Sequence, residues 1–154
     1  MPIYKIPDQP ELDLRILLLD LNGTLAIGGK LVDGVSARIE ALKQAGYEIY
    51  ILTGNHRGNA NEISQRLGIE YIEAHSSAEK AEVTRRFPTE NVVSIGNSRI
   101  DIGMFENSKL SIVTIQKDGV HSDVVSSADI VVTNINDALD MLLDPSILAE
   151  TLRK

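Results

Sequence analysis

One feature constrains the fold of this chain more than any other. Short, near-continuously apolar runs alternate with segments patterned for helices. The runs are 15–19 (RILLL), 47–52 (YEIYIL), 69–72 (IEYI), 91–95 (NVVSI), 110–115 (LSIVTI) and 129–132 (DIVV). A strand with one face in water alternates polar and apolar residues, whereas a strand apolar at nearly every position has both faces covered. Between the runs, Val35, Ile39 and Leu42 share a helical face ahead of Gly46. Ala60, Ile63 and Leu67 do the same ahead of Gly68. Glycine adopts the left-handed conformation that closes a helix, so both segments have a defined end. A further helix over 77–87 stops at Pro88, and one over 137–143 stops before Asp144-Pro145. This alternation predicts an α/β fold: a doubly wound, mostly parallel sheet with right-handed crossovers. In such sheets ligands bind outside the carboxyl ends of the strands.

Residues 23–34 depart from the alternation. Two apolar pairs flank Gly28-Gly29, which predicts a small β-hairpin flap directly after the first strand, with a plain loop as the competing reading. The 154 residues fit a single domain over 1–154, with 1–13 as an N-terminal edge segment or extension. The Ile135–Leu143 and Ile147–Leu152 segments are expected to pack on the core or on a second subunit. The chain has no cysteine, which excludes disulfides and thiol chemistry. Its opening shows no apolar run behind a basic start, and its longest apolar run is far short of a membrane span, so a cytoplasmic protein with no membrane partner is expected. Fifteen basic against 22 acidic residues give a net charge of −7, with no basic stripe. Nucleic acid is therefore not an expected partner.

Polar residues collect just beyond the strand ends. The first strand is followed by 20–25 (DLNGTL), the second by 53–56 (TGNH) and the fourth by 96–101 (GNSRID), while Lys80 lies at the helix after the third. An acid, a hydroxyl, an amine and a second acid thus face one crevice. This set suits phosphoryl transfer. A carboxylate can attack phosphorus to form an acyl phosphate. Two carboxylates can hold Mg2+ between the nucleophile and a phosphate oxygen. A hydroxyl and successive backbone N–H groups in a glycine-containing turn can bind the other oxygens. A lysine offsets charge on the transferring group.

The strand-end motifs resemble, in order, the four signatures of the haloacid dehalogenase superfamily. DLNGTL resembles D-x-D-x-T, Thr53 the second signature, Lys80 the third, and GNSRID the fourth, usually G-D-x-x-x-D. The resemblance spans roughly Ile16 to Val132 and is strongest to the phosphorylation domain of P-type ATPases, whose D-K-T-G-T, L-T-G-D and G-D-G-x-N-D correspond to DLNGTL, LTGN and GNSRID. It implies Asp20 as nucleophile, with Lys80 and Thr53 as its catalytic partners. It also implies phosphate contacts from Leu21, Asn22, Gly23, Thr53, Gly54, Asn55 and Lys80, and a Mg2+ site from Asp20, the Asn22 carbonyl, Asn97 and Asp101. The expected substrate is a small phosphate ester or acyl phosphate.

Three departures bear on the chemistry. Asn22 stands where superfamily phosphatases place a general acid, Asn97 replaces the first acid of the fourth signature, and Asn55 replaces the aspartate of L-T-G-D. An amide cannot donate and retrieve a proton, so slow turnover is expected. For Lys80, the neighbours Glu79 and Glu82 make an exposed mixed-charge helix face the competing reading. None of His56, His75 and His121 has a metal-ligand partner at useful spacing, but His56 lies close enough to the phosphate loop to touch substrate. Residues 21–52 and 81–95 are too few to hold a cap domain, so the site should lie open unless a second copy of the chain covers it. The competing function is a catalytically impaired module that binds a phospho-ligand or protein partner.

Overall fold

The computed structural model describes residues 2–154. In chain order the strands are β1 (Ile3–Tyr4), β2 (Leu12–Asp13), β3 (Ile16–Asp20), β4 (Ala26–Ile27), β5 (Lys30–Leu31), β6 (Glu48–Thr53), β7 (Glu70–Glu73), β8 (Val92–Gly96), β9 (Leu110–Thr114) and β10 (Ile130–Val132). The helices are α1 (Val35–Gln44), α2 (Ala60–Leu67), α3 (Ser77–Thr84), α4 (Ile102–Phe105), α5 (Ser122–Ser127), α6 (Ile135–Leu143) and α7 (Pro145–Leu152). The six apolar runs form one parallel sheet of order β10-β9-β8-β3-β6-β7. The strand carrying Asp20 is therefore central, paired with β8 on one side and β6 on the other.

Strand alternation sorts the core into two layers. Leu17 and Leu19 of β3 pack with α1, α2, α6 and α7. Ile16 and Leu18 face the other way, into a smaller cluster with Val83 of α3, Met104 and Phe105 of α4, and Val124 of α5. Successive side chains point to opposite faces of a strand, so Asp20 continues the face of Ile16 and Leu18, the one covered by α3.

The hairpin forms as expected. β4 and β5 pair antiparallel around Gly28-Gly29, whose positive φ of 61° and 84° suit the tight turn that joins twisted strands. Among the described residues no cap interrupts the fold, and no helix is long and apolar enough to cross a membrane.

Three details differ from the sequence reading. α3 ends at Thr84 rather than Phe87, because the bonds that follow, Arg86 N to Val83 O and Phe87 N to Thr84 O, wind the chain more tightly ahead of Pro88. The N-terminal segment joins no edge of the main sheet. β1 pairs antiparallel with β2 as a separate ribbon. It is held by Tyr4, whose hydroxyl meets Tyr47 Oη at 2.5 Å and donates to the Leu142 carbonyl at 2.6 Å. The short α4 and α5 carry too few turns to show a period and were not expected.

Candidate active site

The carboxyl ends of the central strands bring the separated motifs together. Asp20 ends β3, Thr53 ends β6, and Gly96 ends β8 and leads into the turn carrying Asn97 and Asp101. Lys80 sits one turn into α3 and is fully buried. Its Nζ donates to Asp20 Oδ1 at 2.8 Å and to Asp101 Oδ1 at 2.6 Å. Of the two readings of Lys80, burial favours the crevice lysine over the exposed helix face. Glu79 and Glu82 point to solvent while the lysine turns inward between two carboxylates.

Charge governs this cluster. Asp20 and Asp101 are 5% and 0% exposed, and one ammonium serves both. Burial, then repulsion from Asp101, pushes Asp20 up to about 6, against the opposing pull of Lys80. For Lys80, burial works against the charge, but Asp101 and then Asp20 outweigh it and hold the amine above the usual lysine range. The lysine stays charged, and two buried carboxylates share its single positive charge.

A divalent cation fits that imbalance. Among the described residues no three His, Asp or Glu side chains gather to hold a metal, since asparagine occupies the other candidate positions. The available donors are nonetheless all oxygen: the two carboxylates, the Asn97 amide and the Asn22 carbonyl. Mg2+ is satisfied by one or two carboxylates with waters and substrate oxygens.

Backbone geometry fixes the loops. Gly23 has φ +86°, and a Cβ there would lie 2.1 Å from Asn97 Nδ2, so the first and fourth motifs touch through a glycine. Gly96 lets Asp101 fold beneath its own loop, because a Cβ there would lie 2.4 Å from Asp101 Oδ2. That oxygen accepts the Asn97 and Ser98 N–H groups at 2.9 and 3.0 Å. After β3, Gly23 N donates to Ala26 O at 2.7 Å, and Thr24 N and Ala26 N both donate to Leu21 O. None of these bonds uses the Asn22 carbonyl. Thr53 Oγ1 accepts the Asn55 N–H at 3.0 Å. Asn55 is left-handed (φ 55°), and its Oδ1 accepts the Ala60 N–H that opens α2. Its amide therefore shapes the loop that follows Gly54 rather than aiming into the crevice.

Two residues escaped the sequence reading. Thr24 is fully buried, and its hydroxyl lies 3.3 Å from Asp20 Oδ2 and 3.4 Å from Asn97 Oδ1. It is the threonine of D-x-D-x-T, so the motif carried its signal. Gln116 lies beyond β9, and its Nε2 donates to the Gly23 and Thr24 carbonyls at 2.8 and 2.9 Å. Its Oε1 accepts the Ile135 N–H at 2.8 Å, tying the first motif to α6. A lone glutamine in a loop gives no sequence signal.

A central parallel sheet, a hairpin after its middle strand and an acid–lysine–acid cluster at the carboxyl edge define a class: capless α/β folds of the haloacid dehalogenase type. The chain belongs to the haloacid dehalogenase-like hydrolase family, whose model matches residues 3–109. It is similar to a soluble P-type ATPase-like phosphatase of Methanocaldococcus jannaschii, 28% identical over 127 residues that cover 79% of this chain but only 46% of the relative. The fold is similar to that of 3-deoxy-D-manno-octulosonate 8-phosphate phosphatase from Moraxella catarrhalis, solved with magnesium, phosphate and KDO (TM-score 0.73, 15% identity, 90% of this chain and 91% of that one). It is also similar to the phospho-aspartyl intermediate analogue of phosphoserine phosphatase (TM-score 0.70, 16% identity, 83% and 98% covered).

Proposed function

We propose that this protein carries out Mg2+-dependent phosphoryl transfer from small phosphate esters or acyl phosphates through an aspartyl phosphate on Asp20. The observation that carries this reading is the buried lysine shared by two carboxylates at the carboxyl edge of the central strand. A structural salt bridge would satisfy one lysine with one acid. Burial and then a second buried acid raise the Asp20 carboxylate, which makes sense where a further cation arrives with substrate.

In this mechanism Asp20 attacks phosphorus and Lys80 offsets charge on the transferring group. Thr53, Gly54 and the turn of Leu21 and Asn22 hold the phosphoryl oxygens by hydroxyl and backbone N–H donors, with Gly23, whose own N–H is bonded to Ala26 O, shaping the turn and Asn55 fixing the second loop. Asp20, Asp101, Asn97 and the Asn22 carbonyl would hold Mg2+, which when bound supplies positive charge to the nucleophile and the transferring oxygens. Asn22 cannot protonate a leaving group. Acyl and aryl phosphates, whose leaving groups need no proton, should therefore react faster than sugar phosphates, and the aspartyl phosphate should hydrolyse slowly.

The test is incubation with Mg2+ and acetyl phosphate, read by intact mass and phosphate release. An adduct that is absent from Asp20→Asn supports the reading. The alternative, an impaired binding module, takes over if no adduct forms and Mg2+ with fluoroberyllate leaves the melting temperature unchanged.

A further inference from the structure

The proposed mechanism leaves the site without a proton donor at position 22, yet two histidines far apart in sequence meet beside it. The His56 and His75 rings are 5.9 Å apart, edge to face. A Cβ placed on Gly54 would lie 2.7 Å from His56 Nε2 and 3.4 Å from His75 Nδ1, so the two imidazoles fill the space next to the phosphate loop. Their side of the sheet follows from register. Asp20 pairs with Leu52, and position 54 continues the face of Leu52. Both rings therefore stand on the nucleophile's face, one strand over.

The loop that carries His56 is fixed at both ends and reaches the place of the missing acid. Gly58 N donates to Asn55 O at 3.0 Å, and Asn55 Oδ1 accepts Ala60 N at 3.1 Å. Within that closed loop, Asn59 Nδ2 donates to Asn22 Oδ1 at 3.4 Å. The side chain at position 22 is thus held against the His56 loop. Glu73 Oε2 lies 3.4 Å from His75 Nε2.

Resting on the Asp20 reading, we propose that His56 is the proton donor of this site and extends its substrates to phosphate esters of aliphatic alcohols. In the first step the Asp20 oxygen–phosphorus bond forms and the ester P–O bond breaks. The His56 Nε2 proton passes to the departing alkoxide oxygen. In the second step a water oxygen bonds to phosphorus and the Asp20–phosphorus bond breaks. The proton lost by that water returns to His56, and phosphate and free Asp20 are regenerated. Standing on an exposed loop, His56 serves less well than a buried aspartate, and slow turnover of alkyl esters follows. A group that protonates the leaving oxygen contributes about 10²- to 10⁴-fold, and only where that oxygen is basic.

The experiment compares rates of phosphoenzyme formation from acetyl phosphate and glycerol phosphate by quenched intact-mass spectrometry with Mg2+. His56→Gln should raise the acetyl-to-glycerol rate ratio about 100-fold. Adding Asn22→Asp in the same chain should bring the ratio back, because the aspartate supplies the acid that the glutamine removed. A merely structural role for His56 would move both rates together. An Asp20-dependent adduct with an unchanged ratio in His56→Gln overturns the His56 proposal alone. An adduct that survives Asp20→Asn, or no adduct from either substrate, overturns the Asp20 reading and this proposal with it.

Discussion

The site has two halves built to opposite rules. In one, Lys80, Asp20 and Asp101 are at most 5% exposed and bonded to one another at 2.6–2.8 Å. In the other, Asn22, Asn55 and Asn97 are partly exposed and bond to loops and backbone. The charged half is costly to bury and is held rigidly in place. The amide half shapes loops without adding charge. Under the proposed mechanism the charged half would attack the phosphoryl group, while in the amide half Asn22 stands where a proton donor is expected.

The largest break in this comparison is Lys80→Met. It leaves two buried carboxylates without a counter-charge and should destabilise the metal-free protein by about 3–5 kcal/mol, measured by urea unfolding. A loss of a few tenths would mean that the lysine is not shared as described. Next is Asn22→Asp, which gives the amide half the acid it lacks. It should speed alkyl phosphate turnover about 10²-fold, read as kcat/KM on glycerol phosphate. No gain would show that proton transfer does not limit this site.

The third prediction concerns pH. The folded-state pKa of Asp20 is raised to about 6 from 3.8. Its stability contribution is therefore full below about pH 4 and is lost as pH rises through about 6. With metal chelated, Asp20→Asn should gain on the wild type over that window, by on the order of 2 kcal/mol, and Mg2+ should shrink the gap. A difference that is flat with pH would contradict the crowded-carboxylate account. The smallest effect is expected of Asn97→Asp, a single added charge at a partly exposed position. It should tighten Mg2+ binding about tenfold by calorimetric titration, near 1.4 kcal/mol, whereas unchanged affinity would remove Asn97 from the metal site.

The two halves also differed in how far they could be read from sequence. The six parallel strands were legible because strands covered on both faces are apolar at nearly every position, and Gly46, Gly68 and Pro88 marked where helices end. Asp20, Thr53 and Asp101 were legible because each follows such a run. Lys80 was legible as the amine of the crevice from its place in the motif order, but its sharing between two acids was not, since that depends on the packing of α3 on β3. The two-residue β1 and β2 are too short for an alternation to show. Gln116 acts through backbone carbonyls, which leave no pattern. His56 and His75 meet because β6 and β7 lie side by side, a neighbourhood that sequence separation conceals.

The central claim is that Asp20 is a working nucleophile, and intact mass after incubation with Mg2+ and acetyl phosphate tests it most directly. The account predicts a single phosphoryl adduct on the wild-type chain that decays slowly and is absent from Asp20→Asn. A wild-type chain that stays unmodified, or an adduct that persists in Asp20→Asn, would contradict it.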